Sequence, residues 1–330
     1  MNERTLCVVG LGLIGGSLLR AAERAGWNVA GTATSAADVA AARTAGFDVT
    51  SAVDEALRAA AGSGALVVLA VPLPAVADVL PVVAQEAPRC SLTDVVGVKR
   101  PVAAAVARYA PLARYVGGHP MAGTSASGWA AGTVDLFTRA PWVVSPDEGV
   151  DSAVWGQVAR LALDCGAHVV PASAADHDAA VARVSHLPHV LAAVLAAVGA
   201  DGGPLAMALG AGSFTDGTRV AASPPDLVRA MCEGNRDALL VAVDDALGRL
   251  GAARGSLAST GALAATIRTG HLGRRAFDAA RKGAARNGTG HGECCHVDLD
   301  AAGALERLRE IGRAGGRVVA LDGRRCRVEL

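Results

Sequence analysis

Val8-Val9-Gly10-Leu11-Gly12-Leu13-Ile14-Gly15-Gly16-Ser17 decides the fold of this 330-residue chain. A lone G-x-G-x-x-G is a weak signal. Here it follows an apolar, strand-like N-terminal run and opens a segment of helical pattern, which is the context of a dinucleotide fingerprint. In that reading Gly10 permits a tight turn, Gly12 lets the backbone approach a pyrophosphate, and Gly15 allows close helix–strand packing. The helix that starts at Leu13 and Ile14 then offers free N–H groups and the positive end of its dipole to the phosphates.

Outward from this motif, short apolar runs at residues 6–9, 28–31, 65–71, 91–96, 114–116, 141–144 and 168–170 alternate with Ala-rich stretches of helical length. The alternation predicts an α/β architecture, a doubly wound (Rossmann-like) parallel sheet covered on both faces, over residues 1–173. From residue 176 to about 259 the pattern is helical, interrupted by Pro188, by Asp201-Gly202-Gly203-Pro204 and between Gly210 and Pro225, where the chain should kink or begin new helices. This predicts an all-helical substrate and dimerisation domain over residues 174–269. Its Ala-Val-Leu faces exceed what packing within one chain requires, so a homodimer is expected. Residues 270–330 read as a Gly/Arg-rich linker, mobile to about residue 292, followed by a βαββ appendage with a hairpin at Asp322-Gly323. The appendage is either regulatory or a packing element that closes the helical domain.

Composition limits the function classes. Lys plus Arg equals Asp plus Glu at 31 each, so no overall field draws the chain to nucleic acid or to an anionic membrane. An anionic ligand must be held by a local site. Seven irregularly spaced cysteines fit a reducing compartment better than a disulfide framework. The first residues show no signal-peptide pattern and no uninterrupted apolar run reaches about 18 residues, so a cytoplasmic protein without a membrane span is expected. His291, Cys294, Cys295 and His296 cluster in sequence, but adjacent cysteines lack the spacing structural zinc prefers, and no metal is expected.

The end of the second strand normally separates NAD from NADP, through an acid that bonds the ribose 2′-hydroxyl. Residues 31–35 hold no acid, and Thr34 and Ser35 stand there without an Arg, so both cofactors stay open. Val71 and Pro72, after the fourth strand, are placed to turn beneath the ribose, or are only a turn. His119, between Gly117-Gly118 and Pro120, directly follows a strand, where open α/β sheets bind ligands. An imidazole suits removal of a hydroxyl proton while hydride leaves. A lone His there is as a rule structural, but the flanking glycines favour function. Ser185 and His189, four apart, can share a helix face, and one of His186 and His189 can equally serve packing. Arg219 closes a polar loop that begins at Gly212 and is able to clamp a carboxylate bidentately, if the substrate has one.

Together, GLGLIGGS at residues 10–17, DVVGVK at 94–99, GGHPMAGTSASG at 117–128 with the later Leu136-Phe137 and PWVV at 141–144, VSHLPH at 184–189, the loop from Gly212 to Arg219 and the downstream Asn235-Arg236 resemble the prephenate/arogenate dehydrogenase family. The resemblance covers residues 6–259. It implies oxidative decarboxylation of a cyclohexadienyl dicarboxylate with hydride transfer to a nicotinamide cofactor, on the route to tyrosine. It further implies that His119 accepts the proton of the ring 4-hydroxyl and that Arg219 holds the ring carboxylate. Ser185 and His189 would line the pocket for the substrate side chain, with Thr124, Ser125, His186, Gly212 and Gly97 as further substrate contacts.

Three positions depart from the family pattern. Gly97 stands where many members carry Ser, which bonds the substrate hydroxyl or orients the His. Ser125 stands where many carry Glu, able to pair with the amine of arogenate, and Val228 replaces an aromatic residue. Loss of the acid tilts the expectation towards the keto acid prephenate, while Gly97 leaves room for a 4-amino analogue. A β-hydroxyacid dehydrogenase would need a Lys in the first helix of the second domain, yet the lysines are Lys99 and Lys282. A catalytically silent dinucleotide sensor is the alternative of another class.

Overall fold

The computed structural model describes residues 4–124, 126–287 and 294–330, so Ser125 and His291 lie outside the described residues. β1 (Thr5–Val9) enters the core and turns directly into α1 (Leu13–Arg24). β2 (Asn28–Thr32), α2 (Ala36–Thr44), β3 (Asp48–Thr50), α3 (Val53–Ser63), β4 (Leu66–Leu69), α4 (Leu73–Glu86), β5 (Ser91–Asp94), α5 (Arg100–Tyr109) and β6 (Arg114–Val116) follow in alternation. Their strands form a parallel sheet in the order β3-β2-β1-β4-β5-β6, the doubly wound order. β1 and β4 are apolar almost throughout because both faces are covered, Leu6 and Val8 towards one core, Cys7 and Val9 towards the other. Strand order reverses between β1 and β4, and a crevice for ligand opens at such a switch, beyond the carboxyl ends of the strands.

The next strands do not extend this sheet, as their apolar runs suggested. β7 (Gly118–Pro120), β8 (Pro141–Val144) and β9 (His168–Pro171) belong to a second, mixed sheet, with β7 antiparallel to β8 and β8 parallel to β9. A doubly buried strand looks the same in either sheet, and its partner is chosen by contacts distant in sequence. α6 (Ser152–Asp164) lies between the sheets and buries Val154, Trp155, Val158 and Leu161 in their shared core.

α7 (Ala174–Val181) begins the helical domain. A π-turn over Ala182–His186 joins it to α8 (Leu187–Asp201). Pro188 has no N–H to give the preceding turn, and the helix absorbs this defect as a π-turn instead of breaking there. α9 (Gly203–Leu209), α10 (Gly212–Thr218) and a 3₁₀ turn at Arg219–Ala222 follow, so the polar stretch read as a loop is largely helical. Phe214 holds it, since a Cβ at Gly199 on α8 would lie 2.5 Å from the Phe214 ring. α11 (Pro225–Gly234), α12 (Arg236–Ser259) and α13 (Ala264–Asn287) complete the domain. α13 runs through the boundary expected at residue 269 and replaces most of the expected linker: its Ala, Leu and Arg residues sustain helix in spite of Gly270 and Gly273, each a penalty of about 1 kcal/mol. The continuous helix Ala174–Asp201 is long and apolar enough to cross a membrane, with mean hydropathy 1.6 over an 18-residue window, which the sequence reading did not anticipate. Leu191, Val194, Leu195 and Val198 on it are exposed in the single chain.

The βαββ appendage is present as β10 (Cys294–Asp298), α14 (Ala304–Arg313), β11 (Arg317–Asp322) and β12 (Arg325–Glu329). It docks on the nucleotide-binding half, however, rather than closing the helical domain. β11 pairs antiparallel with β9 at Val318 and Val169, which extends the second sheet to β10-β12-β11-β9-β8-β7. Arg309 donates to the Pro146 carbonyl at 2.6 Å, and Arg324 to Ser152 Oγ at 2.8 Å. Val318, Cys326 and Val328 complete the core around Trp155. Arg313 also reaches Asp176, at the start of α7, at 2.9 Å. In β10, Cys294 and His296 are exposed while Cys295 is partly covered, and no metal-binding group gathers among the described residues.

Candidate active site

The fingerprint has the geometry its glycines require. Gly10 has φ +103°, and a Cβ on it would lie 2.5 Å from the Ala70 carbonyl oxygen. At Gly15 a Cβ would collide with the Gly10 carbonyl, whereas at Gly12 it would point into open space. No side chain caps α1, so the first turn at Leu13 and Ile14 faces the crevice with its N–H groups available, and a dinucleotide pyrophosphate fits this cradle. Val71 borders it, with Cγ1 3.1 Å from the Cβ position of Gly10, and Pro72 caps α4. At the ribose position Thr34 and Ser35 are exposed, but Ser35 Oγ accepts the Asp38 N–H at 3.2 Å and caps α2. The segment after β7 returns to this end of the sheet. Trp129 donates its N–H to Asp38 at 3.1 Å and packs beneath the Arg20 guanidinium, and the Thr133 N–H bonds Ser17 Oγ at 2.9 Å. Thr124, within that segment, is exposed.

Beyond the carboxyl end of β5 a buried polar cluster fixes the backbone that carries His119. Asp94 accepts the Val96 N–H at 2.8 Å and the Tyr115 hydroxyl at 2.6 Å, and pairs with Lys99 Nζ. Lys99 also donates to the Gly118 carbonyl at 2.5 Å. Burial pushes the Lys99 ammonium down against the support of Asp94, and burial with the same carboxylate pushes the Tyr115 phenol well above its usual range. Only glycine fits at 118, where a Cβ would lie 2.6 Å from the Asp94 carbonyl oxygen.

His119 Nε2 and Cε1 face Gly97, each 3.9 Å from the position a Cβ would take there. On the opposite side of the ring, His119 Nδ1 meets His177 Nε2 at 2.8 Å, and His177 Nδ1 meets Asp178 Oδ1 at 2.8 Å. Asp178 in turn accepts the N–H groups of Lys99 at 2.8 Å and Arg100 at 2.9 Å, at the start of α5. Although burial raises the Asp178 carboxyl, these hydrogen bonds from His177, Arg100 and Lys99 bring it below its ordinary value. Burial, with His177, Lys99 and His186 nearby, holds His119 well below the usual imidazole range, so at neutral pH it is uncharged and able to accept a proton.

The helical segment divides its expected residues. His186 is 1% exposed, and its Nδ1 lies 3.1 Å from Asn235 Nδ2, which also donates to the Asp178 carbonyl at 2.7 Å. Burial pushes His186 down to about 4. Its Nδ1 is therefore engaged in packing within its own domain. Ser185 is half-buried on the π-turn, and His189 keeps a buried Nδ1 without a protein partner. Gly212 and Arg219 are exposed, on elements packed against α8. No described contact links Arg219 to His119.

The sequence reading missed His177 and Asp178. The available signal was Ser173, three residues before Asp176: Ser173 Oγ accepts the Asp176 N–H at 3.1 Å, which puts the next two residues in the first turn of a capped helix.

Residues 18–171 match the family model for the prephenate dehydrogenase nucleotide-binding domain, and residues 173–261 match the prephenate dehydrogenase dimerization domain. The chain is 31% identical over 255 residues to the prephenate dehydrogenase of Bacillus subtilis, covering 74% of this chain and 68% of that one. It is 33% identical over 266 residues to the cyclohexadienyl dehydrogenase of Zymomonas mobilis, covering 77% and 88%. Among solved structures, a candidate prephenate dehydrogenase of Corynebacterium glutamicum superposes with a TM-score of 0.87 at 41% identity, over 96% of this chain and 99% of that one.

Proposed function

Because the chain belongs to the prephenate dehydrogenase family, we propose that it oxidatively decarboxylates prephenate to 4-hydroxyphenylpyruvate with a nicotinamide cofactor. The observation that carries this reading is His119, an uncharged imidazole with one ring nitrogen facing the open side of Gly97, beyond the carboxyl ends of the sheet strands. A catalytically silent sensor would have no use for a base held in this way.

Gly10, Gly12 and Gly15, with the first turn of α1 at Leu13 and Ile14, would hold the pyrophosphate, and Val71 and Pro72 would border the ribose. The bound nicotinamide supplies the hydride acceptor. His119 takes the proton of the ring 4-hydroxyl, and Arg219 engages the ring carboxylate until it leaves as carbon dioxide. Aromatisation of the ring makes the step effectively irreversible. Ser185 and the unpartnered His189 serve the substrate side chain. Thr34 and Ser35 leave the ribose position without an acid, so the chain's residues there accommodate NAD or NADP. The exposed apolar residues of α8, with Leu247 and Leu250 of α12, are covered by a second copy in a homodimer.

Gly97 favours a second reading, a 4-amino analogue of prephenate, because the space beside His119 Nε2 is empty of side chain. Formation of reduced nicotinamide is to be followed with prephenate, arogenate and the 4-amino analogue, each with NAD and with NADP. Turnover of prephenate supports the first reading, and turnover of the amino analogue alone replaces it with the second. No turnover with any pair overturns both.

A further inference from the structure

We infer that His177, held by Asp178, is a positioning residue that fixes the tautomer of His119, leaving Nε2 as the bare nitrogen that takes the substrate's proton. The inference deepens the reading of His119 as the base and rests on it.

One chain of hydrogen bonds sets the tautomer. Asp178 caps the start of α5 through the N–H groups of Lys99 and Arg100, a place that favours an ionised carboxylate. A carboxylate only accepts, so the 2.8 Å contact from His177 Nδ1 to Asp178 Oδ1 requires the hydrogen on Nδ1 of His177. In neutral His177, Nε2 is then bare. It faces His119 Nδ1 at 2.8 Å, and two bare nitrogens at that separation would repel, so His119 must carry its hydrogen on Nδ1. What remains on neutral His119 is a lone pair at Nε2, on the side that faces Gly97. When His119 takes a proton there, its Nδ1–H keeps donating to His177. The charged form is thereby supported from behind by a chain that ends at Asp178.

The opposite arrangement, a protonated His177 donating to Nδ1 of His119, would direct an N–H rather than a lone pair at the substrate. It would also bury an imidazolium at a residue only 2% exposed. The groups that face this pair are few. Lys99, paired with Asp94, and His186 lie around His119, and Asn235 fastens the Asp178 carbonyl from the helical domain at 2.7 Å. The chain of bonds crosses from the sheet that carries His119 to the first helical turn of the second domain. The base is therefore set only when the two domains meet.

Two substitutions separate positioning from packing. His177→Leu fills space but offers no acceptor, whereas His177→Gln places an amide oxygen where Nε2 stood. Expected for His177→Leu is a fall in kcat on the order of 10²-fold, with KM and cofactor affinity changed less than about threefold. His177→Gln should recover kcat to within about tenfold of the parent. A kcat for His177→Leu within about threefold of the parent, or a Gln variant no better than Leu, overturns the inference. The tautomer is read directly from two-bond ¹H–¹⁵N correlation spectra of ¹⁵N-histidine-labelled protein without substrate. His119 should show the Nδ1–H form in the parent and in the Gln variant, and this readout decides the matter even where the Leu variant fails to fold. An Nε2–H form in the parent overturns the inference. Because the spectrum needs no substrate, failure of the inference is distinct from failure of the functional reading, which shows as absent turnover in the parent protein.

Discussion

On the sheet side of the cleft Asp94, Lys99, Tyr115 and His119 are tied into buried, hydrogen-bonded order, while on the helical side Arg219 stands exposed on a short 3₁₀ turn. The contrast follows from what each side must do. A base works only if its geometry and protonation state are set before substrate arrives, and burial among fixed partners sets both. A cation that receives a carboxylate works best unpaired, since a strong internal partner would have to be given up on binding. The helical side also leaves apolar residues such as Val194 and Val198 exposed in the single chain.

The ordered side carries the largest expected effect. His119→Asn keeps a polar group of similar shape but removes the base, and kcat should fall about 10³-fold with cofactor affinity kept. Fluorescence titration with the nicotinamide cofactor, beside steady-state turnover, checks both halves, and unimpaired turnover would remove His119 from the chemistry. Lys99→Met tests the support beneath it. Asp94 would be left as an unpaired buried carboxylate, and the loss of stability should be about 3–5 kcal/mol, read from denaturant unfolding. Adding Asp94→Asn should recover part of that loss. A Lys99→Met protein as stable as the parent would mean that the pair does not hold the His119 strand.

At the exposed end, Arg219→Ala should leave the fold intact and raise KM for the cyclohexadienyl substrate by roughly 10- to 100-fold, with a smaller change in kcat, as expected for loss of a charged hydrogen bond worth about 1.5–3 kcal/mol. An unchanged KM would show that the carboxylate is anchored elsewhere.

Acid probes the covered histidines on both sides of the cleft. Burial holds His186 and His168 down to about 4, and His119 lies well below the ordinary imidazole value. Unfolded histidines bind protons near pH 6.5, so between about 6.5 and about 4 the unfolded chain carries more protons than the folded one. Stability should therefore fall as pH falls through that window and stay flat above it. The denaturant midpoint at several pH values checks this, and a midpoint that rises on acidification would contradict the burial of these rings.

Reading the sequence alone succeeds where the determinant is local. The Gly10, Gly12 and Gly15 spacing specifies a turn and a helix start that depend on little else, and the crevice at the strand switch follows from it. It fails where partners are distant. Nothing near residues 141–144 says that they leave the first sheet, and nothing in the appendage says that Val318 pairs with Val169. His177 is not singled out by the sequence, because its meaning comes from His119 in the other domain. The exposed apolar run of α8 was legible as surplus, and the π-turn that carries Ser185 was not, since Pro188 permits either a break or an absorbed defect.

The smallest expected effect lies where the two sides meet. At Gly97 a methyl group would sit 3.9 Å from His119 Nε2 and Cε1, ordinary van der Waals contact, and Gly97 does not occupy a left-handed conformation. Gly97→Ala should therefore leave stability unchanged and alter turnover of prephenate by less than about threefold, since His119 itself need not move. The added methyl does narrow the space beside the bare face of the ring. If that space serves a substituent bulkier than hydroxyl, the variant should lose the bulkier substrate selectively while prephenate turnover persists. Equal loss on both substrates would mean that the methyl displaces His119, and the order ascribed to the sheet side would then be looser than its hydrogen bonds indicate.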